Sequence, residues 1–366
     1  MEARLKKTEC VKQAPLAQIL PPVILGGAGF SYQVYPDPNI SQVRQVLRQA
    51  FNLGLRAIDT SPYYEPSEEL IGQAISEPDF ANRYPRDQYI IMTKVGRLGA
   101  DRFDYSPSWV RCSVNRSLER LHVDYLDVVF CHDIEYVTEE AALDAIGILL
   151  EFVREGKVRY IGASSYRIDL LLQLAQSVLD RYGRPLDVVQ NWAQMTLQNN
   201  RLETDGLKNF RDLGISCVCN ASPLTLGLLR SNGVPVGSLG DFHPAPAALR
   251  TAALRAADYV AEQGESLAAL ALRYAIWRAR ATSTSDFQVS TITGIGSTKE
   301  LDENILAISQ ILLPTHGSPI NSAQVERDAP LWNKVQEILG SWLNFNFTSP
   351  EANWDVQQQK FVKLKL

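Results

Sequence analysis

Residues 56–64 read Arg-Ala-Ile-Asp-Thr-Ser-Pro-Tyr-Tyr, a short apolar run that ends in an ionisable residue and then a turn. Two later runs have the same form: Ile-Ile-Met-Thr-Lys at 90–94 and Asp-Val-Val-Phe-Cys-His at 127–132. An apolar run that ends in a polar residue is typical of a buried strand whose carboxyl end reaches a functional site. Three such strands separated by helix-like segments predict a barrel with chemistry at its C-terminal rim.

Eight segments of the chain are short, rich in β-branched residues and continuously apolar, as parallel strands buried on both faces are. They are residues 23–27, 56–59, 90–94, 126–132, 159–164, 188–191, 216–220 and 290–295. Segments with apolar residues at helical spacing lie between them, at 42–53, 108–121, 139–155, 169–179, 202–213 and 266–277. Because strands and helices alternate eight times, the sequence predicts an α/β fold of the (β/α)8 TIM-barrel type.

Two parts of the chain depart from this alternation. Residues 231–246 are rich in Gly and Pro and follow the seventh strand, so we expect a substrate loop there. Beyond residue 314 the pattern predicts a loop, then a helix at 331–343, then an aromatic and polar stretch. We interpret residues 1–366 as a single domain with a barrel core at about 20–313 and a C-terminal extension at 314–366. The sequence leaves open which end of the barrel the extension covers.

Composition excludes several classes of function. The net charge of −5 and the lack of a basic block argue against nucleic acid as a partner. No apolar run approaches the ~20 residues that span a bilayer, and no signal-peptide pattern begins the chain, so we expect a cytoplasmic protein. The odd number of cysteines also favours reduced thiols, and no Cys/His pair at metal-ligand spacing accompanies them, so no metal site is expected. They are Cys10, Cys112, Cys131, Cys217 and Cys219.

Asp59, Tyr64, Lys94 and His132 form a set that suits proton transfer at a carbonyl or hydroxyl group. A tyrosine has a reference pKa of about 10, and we expect a neighbouring lysine ammonium to lower it. The aspartate would keep the lysine charged, and the histidine would give the reacting oxygen a second hydrogen bond. Each residue also has a structural explanation: an ion pair for Asp59 and Lys94, a core position for His132, and a turn for Tyr64.

The motifs around these residues resemble those of the aldo-keto reductases, over about residues 24–306. Beside the four residues, the shared pieces are Asp-Thr at 59–60, Ser-Glu-Glu-Leu-Ile-Gly at 67–72, Thr-Lys-Val-Gly at 93–96, Asp-Tyr-Leu-Asp at 124–127, Gly-Lys-Val-Arg-Tyr-Ile-Gly at 156–162 and Ser-Pro-Leu at 222–224. The resemblance implies a (β/α)8 barrel, a nicotinamide cofactor, and Asp59, Tyr64, Lys94 and His132 as the catalytic tetrad. The family spacing, five residues after the aspartate, selects Tyr64 over Tyr63.

The resemblance also implies where the cofactor binds. The nicotinamide carboxamide would contact Ser164, Ser165 and Gln190, although an asparagine is usual where Ser165 stands. Ala221 stands where a tyrosine often stacks on the nicotinamide, and Trp192 is a candidate to supply that flat wall instead. The remaining cofactor positions implied by the family are Ser222, Leu224, Gly227, Gly294, Ser297, Thr298, Glu300, Glu303 and Asn304.

The adenosine end favours NAD over NADP. NADP-preferring relatives have a lysine near Gly294 and an arginine near Glu300, and this chain has neither. A carboxylate repels a 2′-phosphate but accepts a hydrogen bond from a free ribose 2′-hydroxyl. Two alternatives stay open: Ser297 and Glu300 can form a helix capping box, and Lys299 could bind the phosphate.

Within the family, Ala-Ser-Pro-Leu at 221–224 and His-Pro-Ala at 243–245 resemble the sugar-dehydrogenase branch. This implies NAD-dependent oxidation of the anomeric hydroxyl of a D-arabinose, L-galactose or L-fucose type sugar to the lactone. Phe30, Trp192, Phe242 and His243 are the candidate sugar-pocket residues, because a sugar binds aromatic faces and a few polar groups. The alternatives are an NADPH-dependent aldehyde or ketone reductase and a non-catalytic redox-sensing subunit. The sequence does not give the oligomeric state.

Overall fold

The computed structural model of the protein describes residues 14–234, 243–313 and 319–362. Eight parallel strands close into a barrel in chain order, β1 to β8, which confirms the predicted TIM-barrel fold. All eight lie within two residues of their predicted bounds. The strands are β1 Val23–Gly26, β2 Ala57–Asp59, β3 Ile90–Val95, β4 Leu126–Cys131, β5 Val158–Ser164, β6 Val188–Trp192, β7 Cys217–Ala221 and β8 Gln288–Gly294.

Helix α1, Leu16–Ile19, precedes β1 at the N-terminal end of the barrel, and the other helices lie outside it. They are α2 Ile40–Asn52, α3 Ser67–Ile75, α4 Pro78–Arg83, α5 Pro107–Leu121, α6 Glu139–Arg154, α7 Ile168–Tyr182, α8 Leu207–Asp212, α9 Ala247–Glu262, α10 Leu267–Thr282, α11 Thr298–Ile311 and α12 Ser322–Leu339. A π-helical turn, Leu202–Gly206, leads into α8. Helices α1, α3, α4 and α9 were not predicted from the sequence, and the predicted start of α12 was too late.

The alternation of side chains along each strand explains why polar residues meet at one end of the barrel. Inward-facing residues of all eight strands form an apolar interior, which Leu16 and Leu20 close at the N-terminal end. Ala57, Met92 and Phe130 belong to this interior. Side chains two positions apart in a strand point to the same face, so the residues two positions later also face inward. Those residues are Asp59, Lys94 and His132, at the carboxyl ends of β2, β3 and β4.

The C-terminal extension begins with α12 against the outer helices and then crosses to the C-terminal rim. Arg273 of α10 is buried and donates from Nε to Asp328 Oδ2 of α12 at 2.6 Å. Further along, Phe347 N donates to Tyr166 Oη at 2.9 Å, after β5. Trp354 Nε1 donates to the carbonyl of Tyr136, after β4, at 3.0 Å. We call residues 344–354 the tail; it therefore lies over the loops that follow β4 and β5.

A short antiparallel pair, β9 Trp354–Asp355 and β10 Lys360–Phe361, ends the described chain. Within the parts of the chain that the structure describes, no helix has the length and apolar character needed to cross a membrane.

Candidate active site

Lys94 and Asp59 form a buried ion pair at the floor of the site. Lys94 Nζ donates to the two carboxylate oxygens of Asp59 at 2.9 and 2.7 Å, and to the carbonyl of Thr60 at 3.0 Å. These bonds use all three ammonium protons. Burial by itself lowers the pKa of Lys94, but the charge and hydrogen bonds of Asp59, together with Tyr64 and Asp133, offset it, so the pKa is raised overall. The lysine is therefore a fixed positive charge.

Tyr64 lies beside this charge. Lys94 Nζ is 5.1 Å from the centre of the Tyr64 ring. Burial nevertheless raises the pKa of Tyr64 above its ordinary value, because desolvation of the phenolate outweighs the favourable charge of Lys94. Lys94 does lower the pKa of Tyr64, as expected, but the larger effect of burial was not predicted. At neutral pH the phenol keeps its proton.

His132 completes the predicted tetrad. Its ring meets Tyr64 edge to face, with 5.9 Å between ring centres. Burial lowers the pKa of His132 to about 3, so the imidazole is neutral at physiological pH. Its Nδ1 lies 3.1 Å from Ser61 Oγ, which also accepts from Tyr63 N at 3.1 Å. A hydroxyl can donate one hydrogen bond while it accepts another, so Ser61 Oγ can donate to Nδ1. This arrangement corresponds to the tautomer that carries its proton on Nε2.

Two charged residues at the site were missed from the sequence. Asp133 follows His132 directly, and its Oδ2 lies 3.5 Å from His132 Nε2. Arg97 Nη1 donates to the same oxygen of Asp133. The signal for Asp133 was an ionisable residue directly after a strand-end histidine. Arg97 gave no comparable signal, because it stands three residues beyond Lys94 in a loop.

The carboxamide positions fit a nicotinamide. Ser164 and Gln190 are neighbours in the register of β5 and β6. Gln190 Oε1 is buried and makes no hydrogen bond within the described residues. A buried acceptor without a partner is uncommon, and the amide N–H of a nicotinamide is a donor of the right kind. Ser165 Oγ is already engaged, since it accepts from Arg167 N at 2.9 Å.

Trp192 lies where an aromatic ring is needed to stack on the nicotinamide. It is opposite Ala221 in the register of β6 and β7. The Trp192 ring packs on Tyr166, with centres 4.3 Å apart, and lies nearly parallel to Phe347 at 6.5 Å. It is half-buried, so part of its surface stays open toward the rim. This position supports the substitution of Trp192 for the stacking tyrosine.

The backbone after β7 forms a tight turn. Positive φ angles of 55°, 51° and 94° occur at Ser222, Thr225 and Gly227, and Leu226 is left-handed as well. Most N–H groups of this turn already donate to carbonyls within it: Thr225 N to Ser222, Gly227 N to Leu224 and Leu228 N to Thr225. A Cβ at Gly227 would lie 3.4 Å from Arg230 Nε, so a cation is close by. Leu224, which is also predicted to bind cofactor, lies within this turn.

The junction of β8 and α11 combines a helix cap with a carboxylate. Ser297 Oγ accepts from Glu300 N at 3.2 Å, and Glu300 Oε2 accepts from Gly296 N at 2.8 Å. The capping alternative is therefore present in the structure. Glu300 Oε1 also accepts from the hydroxyl of Tyr35 at 2.9 Å. Each carboxylate oxygen keeps a further lone pair, so capping does not prevent Glu300 from binding a ribose hydroxyl.

The other adenosine positions surround this junction. Thr298 is the first residue of α11, and Asn304 Nδ2 donates to Thr293 Oγ1 at 3.3 Å. Gly294 is exposed at the end of β8. The side chain of Lys299 is 86% exposed and lies 3.9 Å from Glu303, so both point to solvent.

The candidate sugar residues divide into two kinds. Trp192 lies at the rim, as described. Phe30 is only 1% exposed and packs in the core between barrel and helices. His243 is also buried: its Nε2 donates to the carbonyl of Thr225 at 3.0 Å, and its Nδ1 accepts from Ala245 N at 3.0 Å. Both nitrogens are therefore occupied by backbone, and in this structure Phe30 and His243 are packing residues. Phe242 lies outside the described residues.

Among the residues whose placement is described, no group of three or more His, Cys, Asp or Glu side chains could hold a metal ion.

Comparison with known proteins identifies the class. The model of the aldo/keto reductase family matches residues 22–316, and the chain belongs to that family. It is therefore an NAD(P)-dependent oxidoreductase. The solved aldo-keto reductase from Bacillus halodurans, in its holo form, has the same fold. The TM-score is 0.60 at 20% identity, over 85% of this chain and 91% of that one.

Two curated relatives are similar to much of the chain. The D-arabinose 1-dehydrogenase of Saccharomyces cerevisiae is 42% identical over 257 residues, which cover 70% of this chain and 75% of the yeast protein. The L-galactose dehydrogenase of Arabidopsis thaliana is 33% identical over 270 residues, which cover 72% of this chain and 77% of the plant protein.

Proposed function

We propose that the protein is an NAD-dependent aldose 1-dehydrogenase, which oxidises the anomeric hydroxyl of a D-arabinose, L-galactose or L-fucose type sugar to the lactone. The observation that carries the proposal is the 42% identity over 257 residues to a D-arabinose 1-dehydrogenase. The similarity to an L-galactose dehydrogenase supports the same reaction class. The reduced thiols predicted from the sequence support a cytoplasmic location as part of the proposal.

The four clustered residues suit this oxidation. When bound, the nicotinamide accepts the hydride from the sugar C1. The anomeric hydroxyl would lie between Tyr64 and His132, where the proton on His132 Nε2 orients its oxygen. Tyr64 removes the hydroxyl proton in its phenolate form, which Lys94 stabilises. Because the pKa of Tyr64 is raised above its ordinary value, the phenolate forms in the alkaline range. We therefore expect the rate of sugar oxidation to increase there with pH.

The surroundings of Glu300 support NAD. Its carboxylate is held from two sides, by the hydroxyl of Tyr35 and the backbone of Gly296. A 2′-phosphate placed beside it would bring two negative charges together, whereas a 2′-hydroxyl could donate to the free lone pairs. Lys299, the residue that could favour NADP, points away to solvent.

The test is NAD+ reduction, followed at the nicotinamide absorbance, with D-arabinose, L-fucose, L-galactose and D-glucose, repeated with NADP+. We expect NAD+-linked turnover of the first three sugars and weaker turnover with NADP+. A preference for NADP+ would contradict the role given to Glu300. If no sugar is oxidised but NADPH reduces simple aldehydes, the protein is a carbonyl reductase. If neither reaction occurs, the regulatory-subunit alternative holds.

A further inference from the structure

Asp133 is an ionisable residue at the candidate active site that the tetrad does not include. Its backbone is left-handed, with φ 56°, which is uncommon for a residue other than glycine. Asp133 N donates to Ser164 Oγ at 3.2 Å, and the residue is only 5% exposed. This conformation turns the carboxylate back toward His132, and Oδ2 lies 3.5 Å from His132 Nε2.

Arg97 holds Asp133 in its charged form. The guanidinium pairs with Asp133 Oδ2 and donates from Nε to the carbonyl of Gly99 at 3.1 Å. It also lies over the ring of Tyr63, 4.2 Å from its centre. Burial by itself would raise the pKa of Asp133, but the charge and hydrogen bond of the Arg97 guanidinium help to lower it overall. Asp133 is therefore a carboxylate in a fixed position.

One oxygen of this carboxylate is free to accept a hydrogen bond. Oδ2 accepts a hydrogen bond from Arg97 and lies 3.5 Å from His132 Nε2. A carboxylate oxygen that accepts one hydrogen bond keeps a second lone pair for another donor. The charge of Asp133 also raises the pKa of Tyr64 and that of Lys94, so its field reaches the reacting groups. A charged acceptor without a full set of partners, beside a catalytic candidate, is suited to a donor on the substrate.

We propose that Asp133, held by Arg97, binds the hydroxyl on the carbon next to the anomeric carbon of the sugar. The inference rests on the proposed function. If His132 Nε2 donates to the anomeric oxygen, the neighbouring hydroxyl of the same sugar lies about one hydrogen-bond length away from that oxygen. Asp133 Oδ2, at 3.5 Å from Nε2, is within its reach. The carboxylate accepts from this hydroxyl in a charge-assisted hydrogen bond.

This contact selects polyhydroxylated substrates over simple carbonyl compounds. A substrate without the neighbouring hydroxyl leaves Asp133 desolvated and unpaired, which raises the free energy of the complex. A site built to hydrogen-bond a hydroxyl discriminates strongly against the analogue that lacks it. Asp133 would then account for specificity that the tetrad, which contacts the reacting carbon alone, does not supply.

The test compares D-arabinose with its 2-deoxy analogue, 2-deoxy-D-ribose, in the wild-type protein and in Asp133→Asn. In the wild type we expect a kcat/KM for D-arabinose about 10- to 100-fold higher, as one hydrogen bond to a charged group gives. In Asp133→Asn the ratio of kcat/KM for D-arabinose to that for the deoxy sugar falls to a small factor. Loss of the Asp133 charge also acts on Tyr64 with either sugar, so the measured quantity is the ratio of the two kcat/KM values within each protein. Asp101→Asn, an exposed carboxylate in the β3–α5 loop, is the matched control and leaves both values unchanged.

The outcomes separate the explanations. An equal loss on both sugars in Asp133→Asn shows that Asp133 merely positions His132, and overturns the proposal. A wild-type protein that does not distinguish the two sugars also overturns it, and that measurement needs no variant to fold. Sugar turnover with a preference that Asp133→Asn leaves intact refutes this inference alone. No sugar turnover by the wild type refutes the proposed function and this inference together.

Discussion

Tyr63 and Tyr64 are adjacent phenols with different charged neighbours. Lys94 Nζ lies 5.1 Å from the centre of the Tyr64 ring, whereas the guanidinium of Arg97 lies 4.2 Å from that of Tyr63. Arg97 is paired with Asp133, and its guanidinium does not release a proton at neutral pH. Lys94 is held by Asp59 and contributes a buried positive charge. The two residues thus differ in role although the sequence presents them as a pair.

Replacement of each phenol by phenylalanine tests this difference. In Tyr64→Phe we expect kcat for NAD+-linked sugar oxidation to fall by about 10²- to 10⁴-fold, the usual contribution of a general base. Tyr63→Phe is the matched control and should keep kcat within about threefold, since its hydroxyl takes no part in the proton transfer. Circular dichroism shows whether both variants fold. If kcat falls as much in Tyr63→Phe as in Tyr64→Phe, the assignment of the proton transfer to Tyr64 is wrong.

At the scale of elements, the start of α11 has two functions in the same few residues. Ser297 and Glu300 cap the helix, and Glu300 also presents a negative charge next to Tyr35. A capping box accepts glutamine as well as glutamate at the position of Glu300. The cap and the charge can therefore be separated by a change that keeps the shape of the side chain.

We expect Glu300→Gln to keep the thermal stability near that of the wild type and to raise the ratio of NADP+ to NAD+ activity. Removal of a like charge at about 4 Å in water is worth about 1 kcal/mol, or roughly fivefold in kcat/KM. Ser297→Ala is the counterpart: loss of the cap destabilises the protein by about 1 kcal/mol and leaves the cofactor ratio unchanged. Thermal unfolding and kcat/KM with each cofactor check both. An unchanged ratio in Glu300→Gln would make Glu300 a helix cap alone.

At the scale of the whole molecule, Glu135 joins the loop after β4 to the tail. The residue is 2% exposed, and its Oε1 accepts from Tyr166 N and Ser349 Oγ, each at 3.0 Å. Its Oε2 is buried and has no hydrogen bond within the residues described. Burial, with the charge of Asp133, raises the pKa of Glu135 from 4.5 to about 7.

This raised pKa makes stability depend on pH. Between pH 4.5 and about 7 the unfolded chain releases the proton of Glu135 while the folded protein keeps it. The contribution of Glu135 to the free energy of unfolding is therefore fully present below pH 4.5. It decreases by about 3 kcal/mol as the pH rises to 7. In Glu135→Gln this dependence is absent, so the variant gains stability relative to the wild type between pH 4.5 and 8.

Urea unfolding of the wild type and of Glu135→Gln, each at pH 4.5 and at pH 8, measures the difference in their free energies of unfolding directly. Glu351→Gln removes an exposed carboxylate of the tail and serves as the control for a Glu-to-Gln change in the same segment. A constant difference between wild type and Glu135→Gln would show that Glu135 titrates normally.

The strands of this fold could be predicted from the sequence, because each is a buried apolar run with a polar residue at its carboxyl end. The helix α9 could not, since its alanine-rich sequence gives little contrast between buried and exposed faces. Asp59, Lys94 and His132 were predictable for the same reason as the strands. The raised pKa of Tyr64 was not, because burial depends on the packing around it. The ion pair of Arg97 and Asp133 also escaped prediction, as it joins residues 36 positions apart.

The position of the tail has a consequence for how such a protein changes over generations. Asp59, Lys94 and His132 are encoded in the first half of the gene, and residues 344–354, which cover the same rim, are encoded far downstream. Mutation or recombination in the downstream codons can remodel the rim while the proton-transfer residues are inherited intact. The part of substrate preference that depends on the tail can thus change while the reaction chemistry is kept, whereas the part proposed for Asp133 is inherited together with His132.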